Sequence, residues 1–349
     1  MTAPPHIIVI GGGLIGLSCA DSLIARGARV TLIERANKVG GGAGEFNSGM
    51  IHPSQAAPWD QKVTTNDIKP IQNLANRSLE LTQLRRREMG CPDVDRPRGI
   101  IQIFDSQYAG EQSLEYYQLL GVAADKYAGQ FSFRRLGISL PDDQSGSASI
   151  FMAFLAQDLN KRGCSILTEK NCELRHSHSG LEIVIEGTEI KSDHIVVACG
   201  AASAPLLQTV DIDLPVQPMT GHALCFDRPG IALPQIPILH WDSRSALTVF
   251  EQELRLSGTR GEESPDALLE IWEEVAPEII AALGKPKMRW SADRPASNLG
   301  RPIISKTKIP GLWVNSGHGH MGWSLCSASG QLMAEMILDG AEAAEFALP

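Results

Sequence analysis

The thirty residues His6–Arg35, "HIIVIGGGLIGLSCADSLIARGARVTLIER", constrain the fold more than any other part of the 349-residue chain. His6 to Ile10 is a short apolar run rich in β-branched residues, which suits a strand buried on both faces. Gly11, Gly13 and Gly16 follow at G-x-G-x-x-G spacing. From Leu14 to Ala25 apolar and small residues recur at helical intervals, and Gly27 supplies a stop. Ala28 to Ile33 reads as a second strand, ending at Glu34 and Arg35. Each part has a physical task. The first glycine makes a tight turn, the second lets backbone approach a pyrophosphate, and the third lets helix pack on strand. Leu14 and Ile15 stand in the first helical turn, whose N–H groups face the phosphates. Glu34, eighteen positions after Gly16, can accept hydrogen bonds from both hydroxyls of an adenosine ribose and would repel a 2′-phosphate. The spacing predicts a dinucleotide site that disfavours NADP.

The motif alone does not separate NAD from FAD, but its surroundings do. After Glu34 comes "GGGAGEFNSGMIHPSQAAPW", Gly40–Trp59, and not another strand–helix unit. Such a small-residue segment, with Gly42, Asn47, Ser48, Gly49 and Met50, can run along an extended dinucleotide towards its reactive ring.

Length suggests two domains or one elaborate one. With 31 Lys and Arg against 40 Asp and Glu, a net charge of −9 leaves no basic surplus for nucleic acid. Arg85, Arg86 and Arg87 form the only basic run and read as a solvated helix face. The seven cysteines are scattered and include no C-x-x-C pair, so no iron–sulfur or zinc site is encoded; most read as buried thiols of a reducing compartment. No apolar run is long enough for a transmembrane segment, and the N-terminus lacks a basic region typical of a signal peptide. These features predict a cytoplasmic protein, with peripheral attachment to an inner membrane left open.

Dispersed segments resemble one family along nearly the whole chain. They are the N-terminal unit, "NSGMIHP" at Asn47–Pro53, "SDHIVVACGAAS" at Ser192–Ser203 and "PVQPMTGHAL" at Pro215–Leu224. "DRPASNLGRPIIS" at Asp293–Ser305 and "GLWVNSGHGHMGWSLCSASGQLMAEMI" at Gly311–Ile337 complete the set. The chain resembles the FAD-dependent amino-acid oxidoreductases of the D-amino-acid oxidase and glycine oxidase family, and within it the bacterial D-amino-acid dehydrogenases. The resemblance implies an α/β fold: a Rossmann-type FAD-binding domain with an interleaved, mostly antiparallel α+β substrate domain. It divides the chain into FAD-binding parts at 1–60, 142–214 and 294–349 and substrate parts at 61–141 and 215–293. It implies bound FAD and an amino-acid-like substrate; no cysteine or histidine is clearly placed to attach the FAD, so non-covalent binding is expected.

The same resemblance places Gly319, His320, Met321, Gly322 and Trp323 against the flavin, at the start of a helix expected over Met321–Leu338. That placement also makes chemical sense, since negative charge arriving on a reduced ring is stabilised by a helix N-terminus. The alternative is a glycine-rich turn capping a core helix. His318 and His320 invite a metal reading, but no carboxylate or cysteine follows at ligand spacing, so no metal is expected. The strand Ile195–Ala198 ends at Cys199 and Gly200, which the resemblance sets beside the pyrophosphate.

Arg294 corresponds to the family's arginine before proline, which pairs with the substrate carboxylate. A guanidinium grips a carboxylate bidentately and keeps its proton. Asp293 could engage it instead, and Arg294 could simply brace a domain junction. His52 is placed like a histidine near the substrate; it could orient the amine or accept its proton, or be an ordinary core histidine. Trp241, Arg260 and Trp323 are weaker pocket-wall candidates.

The resemblance implies oxidative deamination: hydride would pass from the amine-bearing carbon to flavin N5 as the imine forms, and water would then give the keto product. No dedicated base is needed if the amine binds neutral, which fits the lack of an obvious catalytic dyad. The chain is shorter than family dehydrogenases, and Trp59 to Asn73 lacks a helical insertion. That departure supports an alternative, the flavin subunit of a heteromeric dehydrogenase for opines, hydroxyproline or another secondary amine. An iron–sulfur partner subunit would then accept the electrons. A true oxidase and a non-catalytic FAD-binding subunit are further alternatives.

Overall fold

His6–Ile10, buried along its whole length, forms the middle of a six-stranded sheet. This computed structural model describes residues 3–56, 65–128, 137–177, 180–258 and 264–349. The sheet order is Ile303–Lys306, Leu312–Ser316, His194–Val197, His6–Ile10, Arg29–Ile33, Ser165–Leu167. All neighbours run parallel except Ile303–Lys306 against Leu312–Ser316. The uninterrupted apolar runs "HIIVI" and "HIVV" follow from burial on both faces.

The helices Leu14–Ala25 and Gly322–Leu338 pack together on one face. They meet at Gly330, where a β-carbon would lie 2.4 Å from the Ser18 carbonyl. Asn315 adds a bond from Nδ2 to the Cys19 sulfur at 3.2 Å. The two ends of the sequence thus share one core.

An eight-stranded sheet faces this unit. Its order is Met288–Ser297, Val216–Asp227, Glu253–Gly258, Ser245–Val249, Ile238–His240, Ile100–Ile103, Gly137–Leu140, Asp125–Lys126. It is antiparallel apart from the pairing of Ile238–His240 with Ile100–Ile103. One face buries Ile101, Leu224, Phe226, Leu247 and Leu256 against Leu268 and Trp272 of a covering helix. A three-stranded meander, Cys172–Ser177, Gly180–Ile185 and Thr188–Ile190, completes the fold with the short pair Met50–Ile51 and Gln144–Ser145.

The α/β fold with parallel and antiparallel sheets is the one expected, and a turn at Glu251-Gln252 joins Ser245–Val249 to Glu253–Gly258. Ala267–Val275 and Pro277–Ala281 are two helices because a proline ring cannot continue the first one. Two readings are corrected. The last helix begins at Gly322, behind a 3-10 turn over Gly319–Met321. The basic run is not a solvated face: Arg86 is fully buried beside Asp93 at 3.0 Å, and Arg85 pairs with Asp21 at 3.0 Å and Asp158 at 2.7 Å. No helix among the described residues is long and apolar enough to cross a membrane.

Candidate active site at the sheet edge

Four adjacent strands of the six-stranded sheet run parallel, so their C-terminal ends share one edge. Along that edge the order is Glu34 after Arg29–Ile33, Gly11 after His6–Ile10, Cys199 after His194–Val197, and Gly317 after Leu312–Ser316. Neighbouring strands lie about 4.8 Å apart, so this row extends roughly 14 Å. Residues separated by some three hundred positions are thereby aligned for one elongated ligand, at the place where open α/β sheets bind theirs.

At the front, Gly11 has φ +110°, and a β-carbon on Gly16 would lie 1.8 Å from the Gly11 carbonyl oxygen. Strand, turn and helix therefore close on one another only with glycine there. Gly13 differs. It precedes the helix, no side chain caps it, and the space a β-carbon would enter is open. The first-turn N–H groups are left facing room for an anion, which fits a pyrophosphate. The Glu34 carboxylate accepts from the Gly12 N–H at 2.7 Å and the Ala36 N–H at 2.8 Å. Arg35 is exposed beside it, and Gly42 lies on the exposed segment that follows. Gly200 is tied to the tail by the Ser316 hydroxyl, which donates to its carbonyl at 3.0 Å, and Cys199 is half-buried.

Asn47–Met50 lies between the sheets. Arg255 Nη1 donates to the Asn47 carbonyl at 2.7 Å and the Thr248 hydroxyl to the Ser48 carbonyl at 2.7 Å. The Asn47 side chain accepts from the Gly49 N–H at 2.8 Å, and Met50 pairs with Ser145. Arg255 and Thr248 escaped the sequence reading because nothing local marks strand residues that anchor a loop two hundred positions away.

At the tail, Gly317 to Met321 borders an open cleft shared with Ala296, Ser297, Ala56 and Ile71. The helix behind it has no side-chain cap and no acid in its first turn, so its positive end is available to an anionic ring. His320 Nε2 donates to the Gln55 carbonyl at 3.1 Å, and its ring lies nearly parallel to His52 with centroids 6.0 Å apart. Burial holds His320 well below the usual imidazole range, with His52, Arg294 and Arg244 acting in the same direction. His318 bonds instead to Ser329 at 2.8 Å, so the two histidines of the H-x-H pair serve different partners. Trp323 is core, not pocket wall: it packs on Phe151 at 5.0 Å and donates to the Gly146 carbonyl at 3.2 Å. Only its backbone lies at the helix start.

His52 corrects the expected titration. Burial lowers it to about 4, so the ring is neutral near pH 7 and is not a base poised there. Its backbone N–H donates to the Ser324 hydroxyl at 2.9 Å, while its buried Nδ1 has no partner among the described residues. The following turn is braced by Asp143, whose carboxyl accepts from the Ser54 N–H at 3.2 Å and bonds the Ser54 hydroxyl. Burial pushes Asp143 up to about 7. Gln55 bonds the Tyr117 hydroxyl at 2.6 Å.

Arg294 lies half-buried in the edge strand Met288–Ser297, opposite Met219. Its guanidinium covers Gly221, where a β-carbon would come within 2.2 Å of Cζ. Asp293, on the other side of the strand, accepts from the Thr220 hydroxyl at 2.8 Å. The second Arg-Pro pair has another task, since Arg301 Nη2 donates to the Ala347 carbonyl at 3.0 Å. Trp241 packs against Met50, Leu239 and Ala246, while Arg260 lies outside the described residues, as does Trp59. Among the described residues one histidine–carboxylate group, Asp105, His240 and Asp242, gathers its ligand atoms within 4.8 Å; both acids are exposed.

A row of backbone N–H groups on a parallel-sheet edge, facing an antiparallel sheet that bears an arginine, defines a dinucleotide-binding protein of two facing sheets. The family of FAD dependent oxidoreductases called DAO matches residues 6–336, and the chain belongs to it. Its cofactor is FAD. A D-amino acid dehydrogenase from Vibrio atlanticus is 25% identical over 406 aligned residues, covering 95% of both chains. That alignment is longer than this 349-residue chain, so the relative carries residues absent here. Glycine oxidase from Geobacillus kaustophilus superposes with a TM-score of 0.84 at 21% identity, covering 100% of this chain and 99% of that one. Iminodiacetate oxidase from a Chelativorans species gives a TM-score of 0.84 at 19% identity, covering 98% of each.

Proposed function

We propose that this protein oxidises an amino acid at its amine-bearing carbon, in the manner of a D-amino-acid dehydrogenase, to give an imine and then a keto acid. The observation that carries this reading is Arg294, whose guanidinium overlies Gly221 on the sheet face turned towards Asn47–Met50. In this reading residues 1–60, 142–214 and 294–349 hold the cofactor, and 61–141 and 215–293 surround the substrate.

The first-turn N–H groups after Gly13 and the carboxylate of Glu34 would hold the diphosphate and ribose, with Arg35, Gly42, Cys199 and Gly200 alongside. Asn47–Met50 and the backbone of Gly319–Trp323 would border the ring. FAD supplies a two-electron acceptor. Arg294 binds the carboxylate through paired charge-assisted hydrogen bonds and fixes which face of the α-carbon is presented. The N-terminus of Gly322–Leu338 stabilises negative charge that develops beside it. His52, neutral because it is buried, can accept a hydrogen bond at Nδ1 without introducing a charge. An amine that binds uncharged needs no further base.

An anaerobic panel of D-amino acids, glycine, sarcosine, proline isomers and opines tests the reading. Bleaching of the flavin absorbance near 450 nm is expected with at least one D-amino acid or related amine. Bound FAD that no member reduces would contradict it. Peroxide on readmitting air would assign oxygen as acceptor, and its absence would favour a protein or quinone acceptor.

A further inference from the structure

The register of the eight-stranded sheet fixes which side chains share the face opposite the covering helix. Met219 opposes Arg294, and Gly221 opposes Ala292. Continuing across the strands, Ala223 opposes Ser257, and Ser257 opposes Ala246. Because side chains alternate, Arg294, Gly221, Ala223, Ser257 and Ala246 all project to one side. It is the side that meets Asn47–Met50, since Arg255 and Thr248, of the same parity, bond the Asn47 and Ser48 carbonyls. Within this face Gly221, Ala223, Ser257 and Ala246 form a patch of short side chains, flanked by Trp290 opposite Ala223, by Met219 opposite Arg294 and by Arg255. Arg294 borders it at one margin.

Arg244, two residues before Ala246, borders it at the other, three inter-strand steps or roughly 14 Å away along the backbone. Its position is closely defined. The backbone is left-handed, with φ 54°, and a β-carbon on Gly258 would lie 2.4 Å from the Arg244 carbonyl oxygen. The guanidinium stacks on Trp241, 3.3 Å from the ring centroid. Stacking covers one flat face and leaves the donor edges oriented in a plane, the geometry that suits a carboxylate. Trp241 in turn packs on Met50, Leu239 and Ala246. His320, in the tail turn, feels the positive charge of both Arg294 and Arg244. Two guanidiniums bordering one sheet face favour a ligand of charge −2 over one of charge −1.

We propose that Arg244 is a second carboxylate-binding residue of this site, so that the substrate is an amine carrying two carboxylates, one held by Arg294 and the other by Arg244. This rests on the assignment of the first carboxylate to Arg294. The second carboxylate can belong to the amino acid's side chain or to a substituent on nitrogen.

The test uses the FAD-loaded protein and two redox-inert probes, acetate and malonate, each read by its perturbation of the flavin absorption spectrum. Malonate should bind at least tenfold more tightly than acetate. R244Q should abolish that preference by weakening malonate far more than acetate, R244K should keep part of it, and R294Q should weaken both ligands. Equal affinity of the wild-type protein for both probes overturns the proposal without any variant, and so does a preference that survives in R244Q. If R294Q leaves acetate binding unchanged, the assignment of Arg294 itself has failed, and the proposal that depends on it fails too. Anaerobic reduction by D-aspartate or by iminodiacetate then identifies the source of the second carboxylate. Faster reduction by glycine and D-alanine than by both would contradict the proposal.

Discussion

The dinucleotide edge and the substrate-facing sheet are built from different materials. At the edge the functional groups are mostly backbone: the turn at Gly11, the open helix start after Gly13, and the Gly319–Met321 turn. On the antiparallel sheet the proposed groups are long side chains, Arg294 on its outer strand and Arg244 in the turn before Ser245–Val249, set around Gly221, Ala223, Ser257 and Ala246. A backbone site needs particular residues at fixed spacing, because only glycine lets strand and helix close. A side-chain site needs only that distant strands bring the right groups together. The first leaves a motif; the second leaves almost none.

If that contrast is sound, the largest effect on substrate comes from one side chain. Arg294→Ala should weaken substrate binding by about 2–4 kcal/mol, through loss of a charge-assisted pair, with FAD retained. Half-saturation of anaerobic flavin reduction measures it, and an unchanged value removes Arg294 from the carboxylate. Gly16→Ala should act on the cofactor edge instead. Its methyl group must displace the Gly11 carbonyl, which it would otherwise approach to 1.8 Å, at a cost of about 1–3 kcal/mol in stability. Thermal unfolding together with the flavin-to-protein ratio checks this, and normal values for both would mean the turn is not tightly closed.

The third effect is spread over the site and concerns pH. Burial lowers His52 to about 4 and His318 to about 3, and holds His320 well below its ordinary value of 6.5. Their neutral forms contribute stability that is fully present above about pH 6.5, the value in the unfolded chain, and is lost as pH falls towards 4. Asp143 works the other way: raised from 3.8 to about 7, it contributes stability below 3.8 that is lost as pH rises through 7. Three histidines outweigh one carboxyl, so the melting temperature should fall between pH 6.5 and 4.5. A melting temperature that holds or rises over that interval would show that these groups do not dominate.

Legibility followed the same division. The fingerprint from His6 to Glu34 was complete in the sequence because strand, turn, helix and acid are local. The tail turn was legible as a pattern, but its partner was not: nothing near Gly330 announces that it packs on Ser18. Asp143, Thr248 and Arg255 acquire their roles only through pairings across the fold, and so does Arg244. Arg86 was misread for the same reason. A charged run looks solvated until a loop carrying Asp93 folds over it. The low affinity of His52 for protons comes from burial under elements that no local spacing reveals.

The central claim is that the edge formed by Glu34, Gly11, Cys199 and Gly317 holds one extended molecule, gripped by the front of the chain at its diphosphate and bordered by the tail at its redox ring. Amide hydrogen exchange of the FAD-free protein, repeated with FAD and with ADP, tests it most directly. FAD should slow exchange at both Gly11–Leu17 and Gly317–Trp323, and ADP at the first alone. Protection of Gly11–Leu17 by FAD with no change at Gly317–Trp323 would contradict the account.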